Sequence, residues 1–183
     1  MAQARIDSAH ARLDALTAAD FETLARLAET IWRAHYTGII GSAQVDYMLD
    51  GRYTPEKLRL YLGADDRWLM LLRIDSSTGS RAVGYCSYAL TDAHGEMKPG
   101  EMKLEQLYLL PEYYGQGLGR LMMCHVEQQA RARGCGTLML QTNKRNEIAI
   151  AFYRKTGFTE REEAVFDIGN GFVMDDYVME KAL

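Results

Sequence analysis

A mixed α/β fold is what this sequence predicts, as one domain over residues 1–183, and three observations carry the prediction. Apolar residues in the opening segment recur at the three-and-four spacing of a buried helix face. Two β-rich runs joined by a serine-glycine turn follow, as in an antiparallel meander. The second half then alternates strand and helix patterns before closing on a hairpin, which mixes parallel with antiparallel pairing in a central, mostly antiparallel sheet flanked by helices.

Taken in order, Ala11 to Leu16 reads as a first short strand. Thr17-Ala18-Ala19-Asp20 supplies helix-start residues, and Phe21, Leu24, Leu27, Ala28, Ile31 and Trp32 continue at helical spacing. The stretch from Tyr36 through Gly38 and Gly41 to Ser42 is expected to break that helix, with Ser42 capping a second through Val45, Met48 and Leu49. Thr54-Pro55-Glu56 opens a third through Leu58, Tyr61 and Leu62, with proline in its first turn. Strands are predicted over Trp68–Ile74 and Ala82–Leu90, around the turn Ser76-Ser77-Thr78-Gly79-Ser80. A polar loop with His94, Gly95, Pro99 and Gly100 leads into a strand over Met102–Leu110. A helix over Leu118–Arg133 stops at Gly134, with cations in its last turn where the helix dipole favours them. A strand over Thr137–Thr142, a helix over Glu147–Thr156 stopped by Gly157, and strands over Phe158–Asp167 and Phe172–Lys181 complete the order.

Composition narrows the class. Hydrophobic content of 48% beside 25% charged residues is that of a globular chain. No apolar run approaches the roughly 20 residues of a membrane span, and Met1 to Asp7 shows no apolar signal core, so a cytoplasmic location without membrane association is expected. Cys86, Cys124 and Cys135 lack metal or redox spacing and suit a reducing compartment, with Cys124 and Cys135 expected to pack. His10, His35, His94 and His125 form no metal-spaced set, so no metal is expected. The net charge of −4 is unevenly spread, with +4 between Tyr114 and Glu160 and −8 elsewhere. A local basic region in an acidic chain suits a phosphorylated cofactor and argues against a nucleic-acid partner.

That basic region begins at Tyr114-Gly115-Gln116-Gly117-Leu118-Gly119-Arg120, an alternating glycine run between a strand and a helix. Glycines there let bare N–H groups converge on an anion at the positive end of the helix dipole. A Walker loop needs a Lys-Ser or Lys-Thr after the run, and a Rossmann loop needs glycine where Arg120 or Met122 stands. Neither spelling fits, and a simple tight turn is the alternative.

With Asn146, Ala149, Phe152, Tyr153, Gly157 and Phe158 spaced as Asn-x-x-Ala-x-x-Phe-Tyr-x-x-x-Gly-Phe downstream, the chain resembles the GNAT superfamily of N-acetyltransferases. The resemblance covers essentially the whole chain and implies that family's fold, acetyl-coenzyme A as co-substrate, direct transfer to an amine, and a tendency to homodimerise. It departs at Tyr114, where the family usually has Gln or Arg; Arg120 can partly replace that charge. By the same resemblance Leu107, Tyr108 and Leu109 offer backbone groups to the pantetheine arm as an added strand would. The N–H groups of Gly115, Gln116, Gly117, Leu118, Gly119 and Arg120 hold the pyrophosphate, and Asn146 contacts the cofactor or simply caps its helix.

The chemistry needs a neutral amine, and an alkylamine of pKa about 10.4 is neutral in only about one molecule in a few thousand at pH 7. Glu105, two residues before Leu107 on the same strand, is the carboxylate placed to act as base. A solvated or ion-paired Glu105 with a water relay is the alternative. The resemblance gives Tyr153 a hydrogen bond to the departing sulfur. Because a phenol near pKa 10 is a weaker acid than a thiol near 8.5, full proton transfer is uphill by about 2 kcal/mol. Stabilisation of the developing thiolate is then the larger part of its role, and core packing beside Phe152 the alternative.

For the acceptor, the resemblance points to the opening helices and last strands. Trp32, His35 and Tyr36, with Tyr47 and Tyr53, make the opening segment aromatic, while Asp46, Asp50, Asp175 and Asp176 add acids. An aromatic and acidic cleft suits a cation; helix packing with a solvated rim is the alternative. The run Val165 to Gly169 followed by Asp175 to Met179 looks like the branch containing polyamine acetyltransferases. A small-molecule primary amine is therefore expected, against peptide or protein amino groups or a non-catalytic acetyl-CoA sensor.

Overall fold

The computed structural model describes residues 10–77, 79–90 and 97–183. The expectations for Met1 to Asp7, for Thr78 in the hairpin turn and for His94 and Gly95 lie outside the described residues. Seven strands form one sheet: β1 (Ala11–Ala15), β2 (Arg67–Ser76), β3 (Gly79–Ala89), β4 (Glu101–Leu109), β5 (Thr137–Asn143), β6 (Thr159–Gly169) and β7 (Phe172–Ala182). Their order is β1-β2-β3-β4-β5-β7-β6. β4 and β5 run parallel, while β1–β2, β5–β7 and β6–β7 run antiparallel. Among the described residues five α-helices accompany the sheet: α1 (Phe21–Ile40), α2 (Ser42–Arg52), α3 (Pro55–Arg59), α4 (Leu118–Ala132) and α5 (Glu147–Lys155). The mixed, mostly antiparallel sheet with helices is the predicted class.

The chain gathers into two compact units, one of residues up to Tyr88 with Gln106–His125, the other of Ala89–Glu105 with Val126–Leu183. In the first, α1 buries Leu24, Leu27, Ala28, Ile31 and Trp32, the stripe read from the sequence. Asp20 anchors the α1 entrance to β2 through Arg73 at 2.5 Å and also accepts the Thr17 N–H at 3.0 Å. Contrary to expectation, α1 does not break at Tyr36 but runs to Ile40, straight through Gly38. One interior glycine costs a helix only about 1 kcal/mol, and the stop falls at Gly41, whose φ of 82° is open to glycine. Ser42 is then the first residue of α2 rather than its cap; Gly41 takes the cap position. Thr54 does cap α3, its side chain accepting from the Lys57 N–H, and Pro55 follows at the first helical position. α3 ends at Arg59, and Tyr61 and Leu62 lie in a tighter turn whose N–H groups reach back three residues.

In the second unit, Met102, Leu104, Leu138, Leu140, Val178 and Met179 are buried on three adjacent strands. β4 and β5 pair from Glu101–Thr137 to Leu104–Leu140. Arg161 sits at a register shift of β6 and directs its guanidinium onto Glu101, with Glu180 at 2.6 Å. This triad stands where an unpaired buried charge would be costly. Cys86 and Cys135 are buried, but Cys124 is exposed. On α4 the buried positions are Leu118, Met122, Met123, Val126 and Ala130, and Cys124 falls on the far side of that stripe. No described helix is long and apolar enough to cross a membrane.

Candidate active site

In the first unit the end of β4 meets β3 so closely that a Cβ on Gly84 would lie 2.6 Å from the Tyr108 carbonyl oxygen. Only glycine allows that approach. The Leu110 N–H donates to the Val83 carbonyl at 2.9 Å, fixing the strand end. Pro111–Tyr113 then makes a 3-10 turn with proline at its start, and the Tyr114 N–H closes on the Pro111 carbonyl at 3.1 Å. Arg81 steadies this corner from β3, 3.4 Å from Glu112 and over the Tyr113 ring.

Beyond the corner, Gly115 and Gly117 take φ values of 74° and 83°. A Cβ at either would meet nothing within 4 Å, so the loop surrounds open space rather than packed protein. The Leu121 N–H is the one that bonds back to the Gly117 carbonyl, at 3.0 Å. The helix geometry therefore leaves the N–H groups of Leu118, Gly119 and Arg120 directed ahead of the helix. Arg120 is exposed beside them. Left-handed glycines, open space and forward N–H groups at Gly115 to Arg120 suit an anionic group. Leu107 and Tyr108 are half-buried and Leu109 buried just upstream.

The same unit brings Trp32, Tyr36 and Tyr108 together. Trp32 lies 4.9 Å from Tyr36 and 5.5 Å from Tyr108 between ring centroids, and the Tyr36 and Tyr108 hydroxyls are 3.3 Å apart. His35 stands edge-on to Tyr36 at 4.8 Å. Sequence reasoning passed over Tyr85, which ties the group: its hydroxyl accepts from Trp32 Nε1 at 3.2 Å and is 2.6 Å from the Tyr53 hydroxyl. Burial raises the pKa of both Tyr53 and Tyr85 above the ordinary phenol value, so the pair stays neutral. Asp46 is exposed and paired with Arg33 at 2.7 Å, Asp50 is exposed, and the ion over Trp32 is Arg52 at 5.5 Å.

The second unit holds the other expected residues. Asn143 and Asn146 make the β5–α5 junction: the Arg145 N–H donates to Asn143 Oδ1 at 3.0 Å, and the Asn146 N–H to the Asn143 carbonyl at 2.9 Å. Asn146 Oδ1 accepts from the Ala149 N–H at 3.3 Å, so this buried side chain caps α5. Tyr153, two turns on, is 8% exposed and lies 5.6 Å from Phe152 and 5.7 Å from Phe158. Glu105 is exposed on β4. Asp175 is exposed and pairs with Lys144 at 2.6 Å. Asp176, four residues into β7, is different: it is 4% exposed and its Oδ1 has no hydrogen-bond partner. Burial foremost, then Asp175, pushes its carboxyl up to about 6, against the pull of Lys103 and Lys144. Alternation alone could have hinted at this, because Val178 and Asp176 share a face and a buried strand face seldom carries an acid.

A left-handed glycine loop that opens a helix after a mixed-sheet strand is a frame suited to an anionic group. The model of the acetyltransferase (GNAT) family matches residues 25–158, and the chain belongs to that family. It is accordingly an acetyl-CoA-dependent amine acyltransferase. It is 24% identical to the spermidine N(1)-acetyltransferase of Thermoplasma acidophilum over 87% of this chain and 92% of that one. A shorter match, 38% identical, joins 33% of this chain to 40% of the ribosomal protein bS18-alanine N-acetyltransferase of Escherichia coli. Among solved structures, the PaiA N-acetyltransferase of T. acidophilum in complex with coenzyme A shares the fold with a TM-score of 0.76 at 22% identity, over 94% of this chain and 99% of that one. Among the described residues no group of three or more His, Cys, Asp or Glu side chains is placed to hold a metal.

Proposed function

We propose that this enzyme acetylates a primary amine of a small cationic molecule of the polyamine type. The observation that carries this reading is the extent of the match to a spermidine N(1)-acetyltransferase, 87% of the chain, against 33% for the relative named for a ribosomal protein. The run Val165 to Gly169 followed by Asp175 to Met179 supports it from the chain itself.

In this reading acetyl-CoA supplies the activated acetyl group, and the protein's residues do the rest. The N–H groups from Gly115 to Arg120 bind the pyrophosphate, and the backbone of Leu107, Tyr108 and Leu109 aligns the pantetheine arm. Asn146 contacts the cofactor while capping α5. The Tyr153 hydroxyl hydrogen-bonds the sulfur as negative charge gathers there, which favours the transition state over the ground state. A carboxylate of the second unit takes the amine's proton, and exposed Glu105 is the one the sequence offers. Trp32, His35 and Tyr36 line the acceptor's approach.

Free-thiol release over a panel of spermidine, simple amines, amino-sugar antibiotics and peptides tests the acceptor. Turnover of spermidine well above that of peptides is the expected result. Preference for peptides overturns the small-molecule reading, and acetyl-CoA binding without turnover of any amine makes the chain a sensor instead.

A further inference from the structure

Two buried polar atoms stand unpartnered on one face of the second unit: Asp176 Oδ1 and Gln141 Nε2. The register brings them near each other. Asp176 pairs with Asn143 and Val178 with Gln141 across β5 and β7, so Asp176 and Gln141 are diagonal neighbours on the same face. Leaving a buried donor or acceptor unmade costs about 1–3 kcal/mol each, and a fold keeps such a pair only where something else completes it. One acceptor and one donor on the same face suit a water, which both gives and receives hydrogen bonds, whereas an ammonium only gives them. The place also matters. Asp176 stands opposite the last residue of β5, from which Asn146 launches the helix that bears Tyr153.

We propose that Asp176 is the general base of the transfer, its unpartnered Oδ1 receiving the proton of the acceptor's ammonium through a water that accepts a hydrogen bond from Gln141 Nε2. This deepens the acetyltransferase reading above and rests on it. An N–H bond of the ammonium breaks as an O–H bond forms on Asp176. The neutral nitrogen forms its bond to the thioester carbonyl carbon, the C–S bond breaks, and the sulfur leaves with the electron pair. The second proton lost by nitrogen ends on that sulfur, and Asp176 returns its own proton to solvent. One amide, one thiol and one proton are the products.

The charged neighbours of Asp176 are Asp175 on its own strand, Lys103 on β4 and Lys144 after β5. The Lys144 ammonium is already shared between Asp175 at 2.6 Å and Glu163 of β6 at 2.7 Å. Ala164 faces Asp176 from β6 and brings no charge. A carboxylate that titrates close to working pH is matched to the task of a base, which a strongly acidic one is not.

The test compares Asp176→Asn, Asp176→Glu and Glu105→Gln using an amine that the unaltered enzyme turns over. Asp176→Asn should lower kcat at least a hundredfold, leave the acetyl-CoA Kd within twofold, and remove an acidic limb of the kcat/KM profile near pH 6. Asp176→Glu should restore part of the rate. In the cofactor-free protein, the Asp176 carboxyl carbon should titrate near pH 6 by NMR. Wild-type turnover and an intact acidic limb in Asp176→Asn overturn the proposal while leaving the acetyltransferase reading untouched; if Glu105→Gln alone abolishes turnover, the base is Glu105. No turnover of any amine by the unaltered enzyme overturns both.

Discussion

Asp176→Asn should make the protein more stable at neutral pH, and the gain should depend on pH in a way that only this carboxyl can produce. The folded chain holds the Asp176 carboxyl near 6, about two units above the roughly 4 of an unfolded aspartate. Between those values the folded state binds more protons than the unfolded one, so this group takes stability away as pH rises from about 4 to about 6. At 1.36 kcal/mol per unit, two units amount to about 3 kcal/mol lost by pH 7. An asparagine cannot ionise and escapes that loss, though its amide still needs partners and forfeits about 1 kcal/mol. The net gain is about 2 kcal/mol at pH 7 and nothing, or a slight loss, at pH 4. For a chain of this length that is a rise of roughly 4–8 °C in Tm. Urea unfolding followed by circular dichroism at steps from pH 4 to pH 8 reads it directly. A difference between the two proteins that stays constant over that range would falsify the assignment of a raised carboxyl to Asp176.

Three further substitutions probe the site. Tyr153→Phe keeps the ring that packs beside Phe152 and Phe158 and removes only the hydroxyl. Turnover should fall about a hundredfold with acetyl-CoA affinity nearly intact by calorimetry, and unchanged turnover removes the tyrosine's role. Gly117→Ala forces a side chain onto a φ of 83°, costing about 1–2 kcal/mol, and should weaken acetyl-CoA binding severalfold more than it weakens acceptor binding. Equal loss for both ligands would argue against a cradle there. Gly84→Ala places a Cβ 2.6 Å from the Tyr108 carbonyl oxygen; about 1–3 kcal/mol of stability should go, with a weaker acetyl-CoA Kd because the strand end is displaced. A variant as stable as the wild type would show that β3 and β4 can separate freely.

Elements governed by local periodicity were legible in the sequence, and departures came where tertiary context decides. The stripe of Leu24, Leu27, Ile31 and Trp32 located α1, and the two glycine-stopped helices after β4 and β5 lie where their patterns put them. Gly38 misled because a glycine looks the same in sequence whether its backbone is helical or left-handed; only Gly41 takes the positive φ that ends the helix. The left-handed turn at Gly115 and Gly117 was readable because it is a property of the local backbone. Asp176 was readable only as one of several acids. Alternation within β7 hints at its burial through Val178 on the same face, but nothing in the sequence shows that its carboxylate lacks a partner.

The Asn146 cap also acts as a protractor. It fixes where α5 begins, and each residue of an α-helix turns the next by about 100°. Seven steps carry Tyr153 round to within about 20° of the cap's own bearing, so the bearing of the phenol is set at the junction with β5 rather than by the rings around it. An insertion of one residue between Asn146 and Tyr153 would swing the hydroxyl through more than a quarter turn while leaving every contact of the junction in place. The distance along the chain from cap to tyrosine therefore helps decide where the Tyr153 ring points.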